Sequence, residues 1–329
     1  MNELYNEDFL IKAPDYASVL NNIVIPQLER IEQDFTVSGK NGLPLFCSVF
    51  KAANPCGTVL VLHGFTENAY KYSELIWSLT QNNLNVVAYD QRGHGRSGRS
   101  EGLSDPSVTH VDHFDDYVDD LRIICEHFLP QMQKPWTIFA HSMGGAVASL
   151  YLERFHDTFS AAALCAPMIA PNTGGIPSFF AAAFCRAACL SGNGKKHPFF
   201  MKTYSGPESF DTSCASDPVR FAWYDAVKAS RKEFWNSVPS YRWTAESVAI
   251  THIILHKGAP ESITCPVFLS TADVDSSVLP EPQRLFIDRV PNGKHLFIKG
   301  SRHEIFRSSN SVLFPWWREV ICFLKEAES

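Results

Sequence analysis

Three things are missing from this 329-residue chain: a C-x-x-C pair, an apolar run of about 20 residues and an excess of basic charge. Nine cysteines occur, an odd number without paired spacing, which argues against a disulfide framework or a zinc site. They read as small buried hydrophobes of a reducing compartment. The twelve histidines also lack ligand spacing, so neither metal nor cofactor is expected. The longest apolar stretch, 176–190, is too short to span a membrane and contains Arg186. Lysine and arginine total 29 against 35 acidic residues, a balance of −6 that argues against a nucleic-acid partner. The opening residues carry Glu3, Glu7 and Asp8 where a secretory signal would be basic, so a cytoplasmic location is expected. No helix-opening phosphate loop is found, and the glycine-rich 90–98 reads as turns. Repeats and low-complexity tracts are lacking too. At 45% hydrophobic and 19% charged residues, the chain has the composition of an ordinary globular protein.

What is present alternates between two periods. A helical stripe (Leu20, Val24, Leu28, Ile31) marks residues 14–34, and a hairpin signal, Gly39-Lys40-Asn41-Gly42, joins two strand-like segments. Thr58–Leu62, Asn85–Tyr89, Trp136–Phe139 and Ala161–Cys165 are continuously apolar, as strands buried on both faces are. Helical patterns separate them over 70–81, 111–129 and beyond Ser142. The aspartates of the second, Asp112, Asp115, Asp116, Asp119 and Asp120, read as a solvated face that favours the helix dipole. From 170 to 264 the chain turns helical and aromatic, with helices expected over 176–190, after Asp217-Pro218, and from Thr244 to Gly258. Strands resume at Val267–Ser270 and Lys294–Lys299 before a last helix rich in tryptophan. This order predicts an α/β fold: a doubly wound, mostly parallel sheet, with a helical lid inserted at the strand ends. The expected division is a core of 1–169 and 265–329 interrupted by a lid of 170–264.

Chemistry concentrates at Ala140-His141-Ser142-Met143-Gly144-Gly145. Strand, sharp turn and helix with a serine at the turn is the setting of a nucleophile elbow, and small neighbours are needed where the two backbones meet. The strict pattern has glycine at the position of Ala140. A pentapeptide is weak alone, so partners must support it. A serine needs a base and a group to orient that base, met along such chains in the order serine, acid, histidine. His303, between the last strand and the last helix, is the histidine placed to serve; His295 sits at the wrong end of its strand. For the acid the loop after Val267–Ser270 offers Asp273 and Asp275, with Asp275 favoured. Oxyanion donors are expected from the backbone N–H of Met143 and, in the loop His63-Gly64-Phe65, of Phe65.

These pieces resemble the α/β-hydrolases of the branch that holds monoacylglycerol lipases and bacterial membrane-associated lysophospholipases. The resemblance rests on His63-Gly-Phe-Thr-Glu67, Asp90-Gln-Arg-Gly-His-Gly-Arg-Ser97, Phe114-Asp-Asp-Tyr-Val-Asp-Asp120, the Ser142 segment and Gly300-Ser-Arg-His303. It covers residues 45–168 and 265–325, and implies Ser142, Asp275 and His303 as the catalytic triad. It also implies a serine ester hydrolase of single-chain lipids, a lysophospholipase before a monoacylglycerol lipase or small-ester carboxylesterase. A catalytically inactive binding protein is the contrasting expectation. Phe179, Phe180, Phe184, Trp223 and Trp235 then fit an acyl-chain site or plain lid packing. Lys195 and Lys196, with apolar neighbours, suit peripheral contact with an anionic membrane face.

Overall fold

A computed structural model describes residues 4–12, 15–103 and 105–327. The chain begins with α1 (Tyr16–Val19), a π-helical stretch at Leu20–Val24 and α2 (Ile25–Ile31). The expected helix over 14–34 is therefore shorter, its first residue lies outside the described set, and 32–34 open a strand. The wide turn falls just before Pro26, whose ring clashes with the carbonyl four residues back in a regular helix.

Next come β1 (Glu32–Ser38), β2 (Pro44–Phe50), β3 (Gly57–Leu62), α3 (Ser73–Gln81) and β4 (Leu84–Tyr89). They are followed by the two-residue β5 (Val108–Thr109), α4 (Asp115–Phe128), β6 (Trp136–His141), α5 (Met143–Arg154) and β7 (Ala161–Cys165). Residues 170–264 hold α6 (Ser178–Ala188), α7 (Pro218–Ser230), the two-residue β8 (Val238–Pro239) and α8 (Tyr241–Ile254). The chain ends with β9 (Val267–Val274), α9 (Pro280–Ile287), β10 (Gly293–Arg302) and α10 (Asn310–Lys325).

Eight strands form one sheet in the order β1-β2-β4-β3-β6-β7-β9-β10, antiparallel at β1-β2-β4 and parallel from β4 onward. The expected doubly wound, mostly parallel sheet is observed. Alternation along β3 explains why its strand is apolar throughout. Leu60 and Leu62 pack with Leu121, Val147 and Phe286 of α4, α5 and α9, whereas Val59 and Val61 pack with Trp77 and Trp317 of α3 and α10.

Several helix starts differ from expectation: α3 begins at Ser73, behind a 3-10 turn over Ala69–Tyr72, and α6 at Ser178. α4 begins at Asp115, although Val111 and Phe114 before it are buried in the same core. α8 begins at Tyr241 because Ser240 caps it, accepting the N–H of Trp243 at 3.1 Å. Of the nine cysteines, all free, five are buried as expected, but Cys56 and Cys322 are exposed.

Candidate active site

β6 runs into α5 through a single residue, Ser142, at φ 52° and ψ −118°. A non-glycine residue at positive φ costs about 1–3 kcal/mol and persists only where its surroundings hold it. Here the Ser142 N–H donates to Cys165 O at 3.0 Å, and Ser142 O accepts from Met168 N at 2.8 Å. Both bonds tie the turn to the end of β7. The tightness of the turn also explains Gly144, where a Cβ would lie 2.5 Å from His63 O and 2.6 Å from Leu62 O. Ala140, by contrast, sits fully buried in β6, where a methyl is accommodated.

His303 lies just beyond β10, whose register shifts between Ile298 and Arg302 around Gly300 at φ 81°. Its Nε2 stands 2.8 Å from Ser142 Oγ and its Nδ1 2.7 Å from Asp275 Oδ2. An ionised carboxylate only accepts, so Nδ1 carries the proton and Nε2 is left to accept from the serine hydroxyl. The other Asp275 oxygen accepts the N–H groups of Ser277 at 2.8 Å and Val278 at 3.0 Å. Burial alone would raise the Asp275 pKa; its hydrogen bond to His303, the electrostatic pull of that ring and the two N–H groups outweigh this and hold it below the ordinary carboxylate value. Asp273 has another task. Exposed at the end of β9, it accepts the Gly300 N–H at 2.8 Å and so pins the turn that carries His303.

The loop after β3 lies against the nucleophile. A Cβ on Gly64 would approach Ser142 Cβ to 3.0 Å and His141 Nδ1 to 2.9 Å, so only glycine fits. His63 shapes this loop. Its Nε2 accepts the Gln91 N–H at 2.8 Å, so Nδ1 bears the hydrogen and donates to Gly64 O at 2.7 Å. Burial lowers the His63 pKa, in keeping with a neutral ring. The Phe65 ring packs at a tilt on Trp243 with centroids 4.0 Å apart, which leaves its backbone as the chemically relevant part. Met143 is fully buried, and its N–H, at the first position of α5, has no acceptor within the helix.

Comparison with known proteins decides the family. Residues 53–310 match the serine aminopeptidase, S33 family. This chain belongs to that family. Lysophospholipase L2 of Escherichia coli (strain K12) is 31% identical over 325 residues, spanning 92% of this chain and 89% of the relative. Monoacylglycerol lipase of Mycolicibacterium smegmatis is 27% identical over 294 residues, 86% of this chain and 94% of the relative. A crystal structure of Paleococcus ferrophilus monoacylglycerol lipase shares the fold, with TM-score 0.66 and 22% identity, covering 86% of this chain and 99% of that one. The α/β-hydrolase resemblance and its lipase and lysophospholipase branch are thereby borne out.

Within this S33-family chain, the structure adds residues that sequence reasoning passed over. Glu67 accepts from Gly64 N at 2.7 Å, lies 3.1 Å from His141 Nδ1, and pairs with Lys71 at 2.8 Å. Lys71 also pairs at 2.6 Å with Glu304, next to His303, and Glu304 pairs at 2.6 Å with Arg307. All four charged side chains are buried. Burial opposes charge on Glu67, but Lys71 and His141 hold its pKa well below the usual range; Lys71 and Arg307 do the same for Glu304 less strongly. The network links the loop of Phe65 to the loop of His303. The only advance signal was Glu67 within the quoted His63–Glu67 motif.

The aspartates of α4 need correction as well. Asp116 and Asp120 are buried; Asp120 takes two bonds from Arg92, at 2.6 and 2.7 Å, and Asp116 lies 3.5 Å from the same guanidinium. They brace the 90–98 turns rather than face solvent.

The aromatics of 170–264 scatter. Trp223 is buried in the core against Tyr16 and Tyr70, with its Nε1–H donating to Asn21 at 2.9 Å. This is a packing role. Trp235 lies on Tyr204 with centroids 5.4 Å apart. Phe179, Phe180 and Phe184 stand exposed on α6, Phe179 at 75%, and so form no lid core.

Proposed function

We propose that this protein is a serine ester hydrolase cleaving the acyl ester of single-chain lipids, with lysophospholipids as its substrates. The observation that carries the reading is the continuous Ser142–His303–Asp275 hydrogen-bond chain, at 2.8 and 2.7 Å, beside an elbow that strains the serine backbone. Likeness to lysophospholipase L2 supplies the substrate class.

Ser142 Oγ attacks the ester carbonyl carbon while His303 Nε2 takes its proton. Asp275 keeps the ring in the correct tautomer and stabilises the imidazolium. The N–H groups of Phe65 and Met143 receive the negative oxygen, aided by the positive end of α5. Collapse expels the glycerol-side alcohol, which His303 protonates. Water, deprotonated by His303, then attacks the acyl-enzyme and releases the fatty acid.

Residues 170–264 serve as the lid of this site. α6 supports a membrane-facing role: Cys185 packs inward on Tyr241 and Ala245, while Phe179, Phe180 and Phe184 face out, with Phe199 and Phe200 also exposed. Exposed Arg186, Lys195, Lys196 and Lys202 share this segment, a composition suited to anionic lipid head groups. No helix among the described residues is long and apolar enough to cross a membrane.

Fluorophosphonate labelling tests the nucleophile. The protein should label and hydrolyse acyl esters, and Ser142→Ala should lose both, with turnover falling on the order of 10⁶-fold. Equal labelling of the alanine variant would remove the assignment. Preference for acetyl esters over lysophospholipid and monoacylglycerol would remove the lipid substrate.

A further inference from the structure

Beside the proposed active centre lies a cavity of about 330 Å³, whose walls come from both the core and the 170–264 segment. Its position is fixed by three neighbours of the catalytic groups. Thr66 follows Phe65, and Glu304 follows His303. Cys214 Sγ lies 3.4 Å from Oγ of Ser277, the residue whose N–H holds Asp275.

The chemistry of the cavity is unlike that of an acyl-chain site. Lys228 is buried in its wall; among the described residues its ammonium meets one hydrogen-bond acceptor, Glu208 Oε1 at 2.6 Å, and stands over the Tyr204 ring, 5.1 Å from the centroid. An ammonium has three N–H donors, so two remain without an oxygen acceptor. Ser237 Oγ, in the same wall, is buried with no hydrogen-bond partner among the described residues. Unused buried donors are costly, at about 1–3 kcal/mol each, and such groups in a native wall need an explanation. An anionic oxygen would satisfy both. The opposite charge is present as well: Asp225 and Glu208 line the cavity, joined by a 2.8 Å bond from Glu208 N–H to Asp225. Burial pulls the Lys228 pKa below its ordinary value against the attraction of Glu208, and a further anion would favour its charged form. Three cations (Lys71, Lys228, Arg307) and three carboxylates (Glu208, Asp225, Glu304) line the space, so it matches a zwitterion better than a neutral alcohol. The volume lies at the low end of the roughly 300–1,000 Å³ of ligand pockets, suited to a head group.

Building on the ester-hydrolase reading above, we propose that this cavity is the head-group subsite, with Lys228 and Ser237 taking the phosphodiester and Asp225 and Glu208 the ammonium of a glycerophospholipid. An ester held at Ser142 would then carry its glycerol side toward Thr66 and Glu304, while the acyl chain leaves by another route. The subsite makes a lysophospholipid distinguishable from a monoacylglycerol of the same chain.

The test compares kcat/KM for a lysophosphatidylethanolamine with that for the monoacylglycerol of equal acyl length. In Lys228→Met the ratio should fall about 10–100-fold, the loss of a charge-assisted bond, and in Ser237→Ala about 2–10-fold. Calorimetry should show glycerophosphoethanolamine binding to the native protein, and binding weakened by a similar factor in Lys228→Met. A ratio unchanged in Ser237→Ala and in a folded Lys228→Met would overturn the subsite. So would no calorimetric binding, or inorganic phosphate binding as well as glycerophosphoethanolamine. Should the native protein hydrolyse no ester, the ester-hydrolase reading falls, while the calorimetric arm still decides the cavity on its own.

Discussion

Two aspartates two positions apart do different work, and substitution should separate them. Asp275 holds the His303 ring, so Asp275→Asn presents an amide that can donate and favours the wrong tautomer; kcat should fall about 10⁴-fold, by analogy with serine-protease triads. Asp273→Asn keeps an oxygen able to accept the Gly300 N–H and should cost tenfold or less. Equal losses in steady-state assays of the two variants would reverse the assignment. A third carboxyl, Glu153, is perturbed for no catalytic reason. Burial, barely offset by Arg154 and Arg289, raises its pKa to about 8, and its Oε1 is buried without a hydrogen-bond partner among the described residues. A folded pKa above the unfolded ~4.3 contributes stability below that value, which is lost as pH rises through about 8. Glu153→Gln removes the titration. Its melting temperature should exceed that of the native protein by about 2–4 °C at pH 9 and show no such gain at pH 5, read by thermal scanning.

Elements were legible where burial and hydrogen bonding agree. β3, β4, β6 and β7 read correctly from sequence because a strand covered on both faces must be apolar at every position. The nucleophile turn was legible because Gly144 and Gly145 are dictated by close approach of backbone and Pro167. α4 was over-extended because Val111 and Phe114 are buried yet not helical: periodicity reports burial, not the hydrogen-bond ladder. The Glu67–Lys71–Glu304–Arg307 network was illegible because charged residues are ordinarily exposed and these lie on distant segments. α6 misled in the other sense, since its phenylalanines face outward. That face carries a prediction of its own. Co-sedimentation with anionic vesicles should show binding that weakens with added salt, and Phe179→Ser with Phe180→Ser should reduce the partition coefficient at least about tenfold. Absence of vesicle binding by the native protein would end the membrane-facing reading of this helix.

At the scale of the whole molecule, buried charge joins what the sheet alone leaves apart. The Glu67–Lys71–Glu304–Arg307 chain ties the loop after β3 to the loop after β10, and Arg307 donates to Arg220 O and Phe221 O of α7. Nearby, Arg220 pairs with Glu74 at the start of α3 and donates to Ile11 O near the N-terminus. Such a network ties stability to pH in a direction that can be worked out. Glu67, Glu304 and Asp275 have folded pKa values below their ordinary ones, so the stability they contribute is present above the unfolded ~4 and is lost as pH falls through the folded values. His63 and His94 are held neutral by burial, their pKa values lowered, so the stability tied to them is lost as pH falls below about 6.5. The melting temperature should therefore decline from about pH 6.5 downward and more steeply below about pH 4. Lys71→Met sharpens the test, because it leaves two buried carboxylates short of their cation. Breaking a buried pair from one side costs about 3–5 kcal/mol, so the variant should melt on the order of 10 °C lower at pH 7. Near pH 4 the stranded carboxyls can take up protons, and the gap between variant and native protein must narrow. A gap that stays constant from pH 7 to pH 4 would mean that Lys71 stabilises the fold through its ammonium over the Tyr224 and Phe306 rings rather than through its pairs with the two carboxylates.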